Sequence, residues 1–172
     1  MGEQMPSAEF EKKPLSPEKQ ELYDLEAEDK YFFSGTDVDV AELEPRQAMD
    51  TETGPDGVPA VFASSKADMA IFSALLKGSN VTGGSSTVSF GNRTSMHDDG
   101  ATTDRLHFAI RRDTAENLKD SASGWIYVLD RSKFVPHPDK PGVEFVSYTP
   151  VAPIKKIKVL KRDLPDGIEI FD

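Results

Sequence analysis

Apolar and polar positions alternate along this chain in short runs, and only one long helical period interrupts them. The aromatic run Tyr31-Phe32-Phe33, closed by Ser34-Gly35, reads as a strand. Val38 to Leu43 carries a second short apolar pattern before Pro45, and Asp50 to Gly57, rich in Asp, Thr, Gly and Pro, marks a loop. Pro59 to Ala63 reads as the next strand. Ala67, Ala70, Ile71, Ala74 and Leu75 then recur at helical spacing. That pattern predicts a helix over 67–76, with Ser64 or Ser65 as cap, Asp68 in its first turn and Lys77-Gly78 as its stop. The many alanines imply close packing against a sheet.

Residues 78–104 hold glycines and small polar side chains with one β-like patch, Thr87 to Phe90, and read as a long flexible loop. Beyond it, Leu106 to Ile110, Gly124 to Leu129, Val143 to Tyr148, Ile154 to Leu160 and Ile168 to Phe171 predict strands. Asp113 to Lys119 predicts a two-turn helix capped by Asp113. One main helix among many short strands, without βαβ alternation, indicates α+β.

The first 29 residues read as an acidic tail, largely disordered or carrying one short helix. Residues 1–30 contain nine acidic and four basic side chains and few large apolar ones. Ser16-Pro17-Glu18 starts a helix in the usual order of cap, proline and acid, but only Leu22 and Leu25 follow on one face, so the helix is expected to be peripheral. Residues 30–172 then form a single domain. Composition sharpens this division. The 172 residues carry a net charge of −10 and 37% hydrophobic side chains, against roughly 45–50% apolar usage, glycine included, in a typical domain. Half of that charge lies in residues 1–30, where four basic against nine acidic side chains leave −5. The acidic balance opposes broad binding to nucleic acid or anionic membrane. There is no signal-peptide pattern and no run approaching the roughly 20 apolar residues of a membrane span. The expectation is a cytoplasmic protein with no membrane partner.

Zero cysteine excludes a disulfide scaffold, a thiolate metal site and a cysteine nucleophile. His97, beside Asp98 and Asp99, matches no metal-ligand spacing and reads as a solvated turn. His107 lies within a strand and points outward. His137, between Pro136 and Pro138, reads as loop punctuation. Gly83-Gly84-Ser85-Ser86 could wrap a phosphate, although such pairs more commonly only confer flexibility. Lys155, Lys156, Lys158, Lys161 and Arg162 could contact phosphates; the simpler reading is a solvated strand face that discourages edge pairing. Glu144, opening a strand with Val146 and Tyr148 on its face, is either a surface charge or a placed catalytic group.

Three blocks taken in order give Glu144 a sharper role. Tyr31-Phe32-Phe33-Ser34-Gly35-Thr36 with Leu43-Glu44-Pro45-Arg46, then Ala60-Val61-Phe62-Ala63-Ser64 with its alanine-rich helix, then Gly124 to Leu129 with Glu144-Phe145-Val146-Ser147, Pro150-Val151 and Pro153-Ile154, together resemble the ADP-ribosyltransferase-like domains. The resemblance spans about residues 31–160. It implies split small antiparallel sheets with few short helices, gripping NAD in the cleft between them. It also implies an acceptor, protein or nucleic acid, for the transferred ADP-ribose. Within the family a glutamate stabilises the oxocarbenium ion that develops as nicotinamide leaves, and this role falls on Glu144. Ser34, Gly35 and Thr36 take the first-motif place and Phe62 and Ser64 the second block, all lining the cleft, while Arg46 pairs with a phosphate or a structural carboxylate. Two departures are plain: Ser34 stands where the family carries histidine, and Phe62 lacks a tyrosine hydroxyl. The same fold also serves catalytically silent binding modules, which is the alternative reading.

Overall fold

A computed structural model describes residues 14–50, 54–76, 78–83, 88–96, 102–139, 142 and 144–172; at 48–50, 54–56, 88–96 and 102–105 it describes the backbone alone. In chain order the elements are α1 (Pro17–Ala27), β1 (Tyr31–Thr36), β2 (Arg46–Asp50), β3 (Gly54–Ala63), α2 (Ala67–Leu75), β4 (Val88–Met96), β5 (Thr102–Arg111), α3 (Arg112–Asn117), β6 (Ser123–Asp130), β7 (Val135–Pro136), β8 (Phe145–Ser147), β9 (Lys155–Leu160) and β10 (Glu169–Phe171). They form three small sheets, β1-β6-β9, β2-β3-β8-β7 and β10-β5-β4. Every pairing is antiparallel except β10 with β5. The chain is thus α+β with small, mainly antiparallel sheets and few helices. No helix among the described residues is long and apolar enough to cross a membrane.

The sheet β1-β6-β9 is apolar on both faces because its aromatic and branched residues alternate sides. One face, with Phe33, Ile126, Val128, Ile157 and Val159, packs under α2, which meets it through Ala70 and Ala74, while Phe72 of the same helix tilts against Phe108 of β5, ring centres 4.8 Å apart. The other, with Phe32, Tyr127 and Leu129, meets Val61, Ala63, Phe134 and Val151 in a second, smaller core. The close packing that the alanines imply is present. A Cβ on Gly35 would fall inside the envelope of the Ala70 carbonyl oxygen, and one on Gly124 would lie 2.8 Å from Ala74 Cβ. Two glycines in the sheet and two alanines in the helix therefore set how near α2 sits. Each of Ile71, Phe72 and Leu75 contributes about 1.5–3 kcal/mol by leaving water.

Several expectations change. Helix α1 belongs to the core rather than to a tail: Leu22 is 0% and Lys19 4% exposed. Tyr23 and Leu25 pack, partly buried, against the same core, and polar contacts fix the helix further. Lys19 Nζ donates to the Leu164 carbonyl at 3.1 Å, and Ser16, the expected N-cap, donates to Asp163 at 2.5 Å while accepting from Lys19 N. Residues 1–13 lie outside the described residues. The expected loop at 78–104 contains all of β4 and the first residues of β5; nine consecutive ladder positions pair them. Residues 84–87 and 97–101, including His97 and Gly84-Ser85-Ser86, lie outside the described residues. The loop expected at 50–57 contains the start of β3. Ser64 and Ser65 do not cap α2. Its N-cap position is Lys66, with no side-chain cap bond. The carboxylate of Glu26, from α1, accepts the Ala67 amide at 2.7 Å instead. Helix α3 begins at Arg112, one residue before the expected cap Asp113.

Candidate functional site

The segments that carry the sequence resemblance meet where two sheets join. β3 runs antiparallel to β8, with Val61 opposite Ser147, Phe62 opposite Val146 and Ala63 opposite Phe145. Just past β3, Ser64 forms an isolated bridge with Phe33 of β1, bonded in both directions at 2.8 and 2.9 Å. No other pair bridges β1 to this sheet among the described residues, so the two strands diverge beyond it. Since both Phe33 peptide groups point to Ser64, alternation directs the Gly35 N–H and C=O to the same side, away from β6.

Glu144 immediately precedes β8, level with Ser64 by register. Its carbonyl accepts the His137 peptide N–H at 2.9 Å, which extends the pairing of β7 with β8. The His137 imidazole stands beside the Glu144 side chain, Nε2 to Oε2 at 4.0 Å, with the two side chains 13% and 28% exposed. Its Nδ1 accepts the Asp139 peptide N–H at 3.0 Å. The ring tilts against Phe62, centroids 6.2 Å apart. Phe62, Glu144 and Val146 therefore share one face of this sheet, while Val61, Ala63 and Phe145 turn to the second core.

The remaining candidates are placed differently. Ser64 is buried; its hydroxyl accepts from Lys66 N at 3.0 Å and lies 3.4 Å from Met69 Sδ. Gly35 turns its Cα to α2. Ser34 and Thr36 lie on the Phe32 side of β1, beside Tyr127 and Trp125 of β6. The segment after β1 folds back over this side: Tyr127 Oη donates to the Val38 carbonyl and accepts from Val40 N, both at 2.8 Å. Thr36 Oγ1 accepts from Val38 N at 3.3 Å. Arg46 is exposed on β2, on the opposite side of β3 from β8, and so is not brought to Glu144. The structure thus gathers Phe62, Ser64, Glu144 and the Gly35 peptide at one junction, and leaves Arg46 and the side chains of Ser34 and Thr36 outside it.

His137 is the residue that sequence reasoning missed. The flanking prolines look like turn punctuation, yet they fix the backbone that presents the ring. The only sequence signal was an aromatic base seven residues before the carboxylate, a spacing that suits a hairpin.

The basic run also resolves into specific contacts. Lys155 pairs with Glu21, Lys156 with Asp39 at 2.5 Å, Lys161 with Asp120 at 3.1 Å and Arg162 with Glu18 at 3.5 Å. Its charges fasten α1, the 37–40 segment and the turn after α3, rather than forming a free phosphate surface. Asp39 holds the Lys156 ammonium above its ordinary value through a hydrogen bond. Lys156 and Lys158 both approach the Trp125 ring, each 5.8 Å from its centre.

Two open depressions lie elsewhere. One of about 450 Å³ is lined by Thr82, Glu116, Asn117, Lys119, Asp120 and Lys161; another of about 390 Å³ is lined by Pro14, Leu15, Ser16 and Arg162. Lys161 in the first is paired with Asp120 and the Ser16 hydroxyl in the second caps α1 and donates to Asp163, so the carboxylate–imidazole pair at the junction is the stronger chemical candidate. Among the described residues, no group of three or more carboxylates and imidazoles converges in a way that could hold a metal ion. Comparison with known proteins finds no matching family model, no matching curated protein and no matching solved structure.

Proposed function

We propose that this chain is an NAD-binding domain of the ADP-ribosyltransferase type, with Glu144 as its catalytic carboxylate. The observation that carries the reading is the junction itself. Phe33-Ser34-Gly35, Phe62-Ala63-Ser64 and Glu144-Phe145, distant in sequence, meet through the Phe33–Ser64 bridge and the β3–β8 ladder. The Gly35 peptide offers one donor and one acceptor there, a pattern that suits a carboxamide. Phe62 offers an aromatic surface, and Glu144 offers the negative charge that the reaction requires.

In the proposed reaction the bond between nicotinamide nitrogen and ribose C1′ breaks, and its electron pair leaves with neutral nicotinamide. Positive charge develops on C1′ and the ring oxygen. Glu144, accepting a hydrogen bond from a ribose hydroxyl, stabilises that charge more than it stabilises ground-state NAD. Water or an acceptor nucleophile then bonds to C1′ and releases one proton to solvent. With water the products are ADP-ribose, nicotinamide and a proton.

The test combines calorimetry at millimolar NAD with chromatographic measurement of nicotinamide release. The expected result is binding, with release that Glu144→Gln lowers by at least about 100-fold. Absence of heat and of nicotinamide would overturn the proposal. A second reading has one specific observation in its favour. The Ser34 side chain lies on the face covered by the 37–40 segment, and it stands where the family carries histidine. Binding of NAD without any release of nicotinamide would identify a catalytically silent module.

A further inference from the structure

We infer that His137 is a positioning residue for Glu144, a role that rests on the reading of Glu144 as the catalytic carboxylate. A carboxylate that must face a developing cation works only if it is held in place, and the His137 imidazole stands beside Glu144, Nε2 to Oε2 at 4.0 Å. Three contacts fix the imidazole. The His137 peptide N–H donates to the Glu144 carbonyl at 2.9 Å, the ring packs against Phe62, and Nδ1 accepts the Asp139 N–H at 3.0 Å.

The last contact decides the chemistry. Because the Nδ1 lone pair receives a hydrogen bond, the neutral ring carries its proton on Nε2, the nitrogen that faces Glu144. In that tautomer His137 has no lone pair left to remove a proton from an acceptor, so it is not a general base. It is a donor aimed at a carboxylate. At 4.0 Å the pair is close enough to tighten into a hydrogen bond, as such contacts do when a ligand excludes water and fixes the carboxylate. Orienting partners of this kind change rates without touching substrate.

The experiment uses the full chain labelled with ¹⁵N. With three histidines in the sequence, the imidazole spectrum is simple, and His137→Gln assigns the signal. The expected result is an Nε2-protonated ring whose Nε2 resonance moves on Glu144→Gln and not on Glu169→Gln, which alters the carboxylate beside His107. An Nδ1-protonated ring, or a resonance indifferent to Glu144→Gln, would overturn the inference. Kinetics supply the second readout. His137→Leu should lower kcat for nicotinamide release by about 10-fold with KM nearly unchanged, while His137→Gln, which keeps an N–H on that side, should recover most of the loss. Equal kcat for His137→Leu and the wild type would also overturn it. A wild-type chain that releases no nicotinamide defeats the proposed function instead, and the imidazole spectrum still decides the pairing.

Discussion

Gly35→Ala tests whether the sheet and α2 are as close as the glycine–alanine contact requires. The new Cβ would overlap the Ala70 carbonyl oxygen and lie 2.8 Å from the Ala70 carbonyl carbon and 3.0 Å from Ala74 Cβ. Ordinary carbon–carbon contact is about 3.5–4.0 Å, so α2 must retreat by roughly 1 Å. A gap of that size forfeits about a quarter to a half of the dispersion attraction across it. Phe33, Ile126 and Val128 lie on the sheet face beneath α2 and are partly uncovered, so the loss is about 1–2 kcal/mol, and overpacking strain adds about 1–3 kcal/mol. The expected cost is about 3 kcal/mol, read as a drop in the urea midpoint with unchanged slope and a fall in Tm of about 6–12 °C. Gly83→Ala is the control. Gly83 has φ +79° with nothing within 4 Å, so alanine there carries backbone strain of about 1 kcal/mol without any clash. The obstruction at Gly35 is main chain, so trimming a side chain cannot relieve it. By contrast, Gly124→Ala meets Ala74 Cβ, and Ala74→Gly should partly relieve it. If Gly35→Ala costs no more than Gly83→Ala, α2 is not seated as described.

Further predictions concern α1. Leu22→Ala should cost about 3 kcal/mol in chemical denaturation, because the side chain is fully buried; a cost below about 1 kcal/mol would return α1 to the periphery. Glu26→Ala should cost about 1–2 kcal/mol by uncapping α2, whereas Glu18→Ala and Glu21→Ala, which break exposed pairs, should each cost under about 0.5 kcal/mol. Burial, followed by the hydrogen bond to Asp68, raises the Tyr23 phenol above its ordinary value of 10.0. A raised value in the folded state means that its stabilisation is fully present below about pH 10 and is lost as pH rises further. Tyr23→Phe should therefore flatten the alkaline limb of the stability curve, and an unchanged limb would remove Tyr23 from that transition.

What was legible in the chain follows from where the physics is local. Tyr31-Phe32-Phe33, Val61-Phe62-Ala63, Ile126 to Leu129 and the 67–75 helix carry enough apolar side chain to announce themselves, and each is present. β4 shows itself only at its start, in the β-like patch that ends at Phe90, because Gly91 and Asn92 are poor strand formers held in place by the β5 ladder. Helix α1 hides for a different reason: its docking relies on carboxylates and an ammonium that reach distant backbone groups, which hydropathy does not register. At the junction, Glu144 and Phe62 were readable as types at plausible positions. That Arg46 stands one strand away, and that the Ser34 side chain turns to the opposite face, depends on strand order and pleat parity, which no local window contains.

The pairing of β1 with β6 also constrains how the chain reaches this state. Phe33 is opposite Val128, 95 residues later (128 minus 33). At about 5–20 residues per second of synthesis, β1 waits on the order of 5–20 s for its partner strand. Helix α2 starts at Ala67, only 34 residues after Phe33 (67 minus 33), and packs in the same core. Together with α1, which is made before Phe33, it supplies apolar surface to shelter Phe33 during that interval, and it leaves the ribosome well before β6.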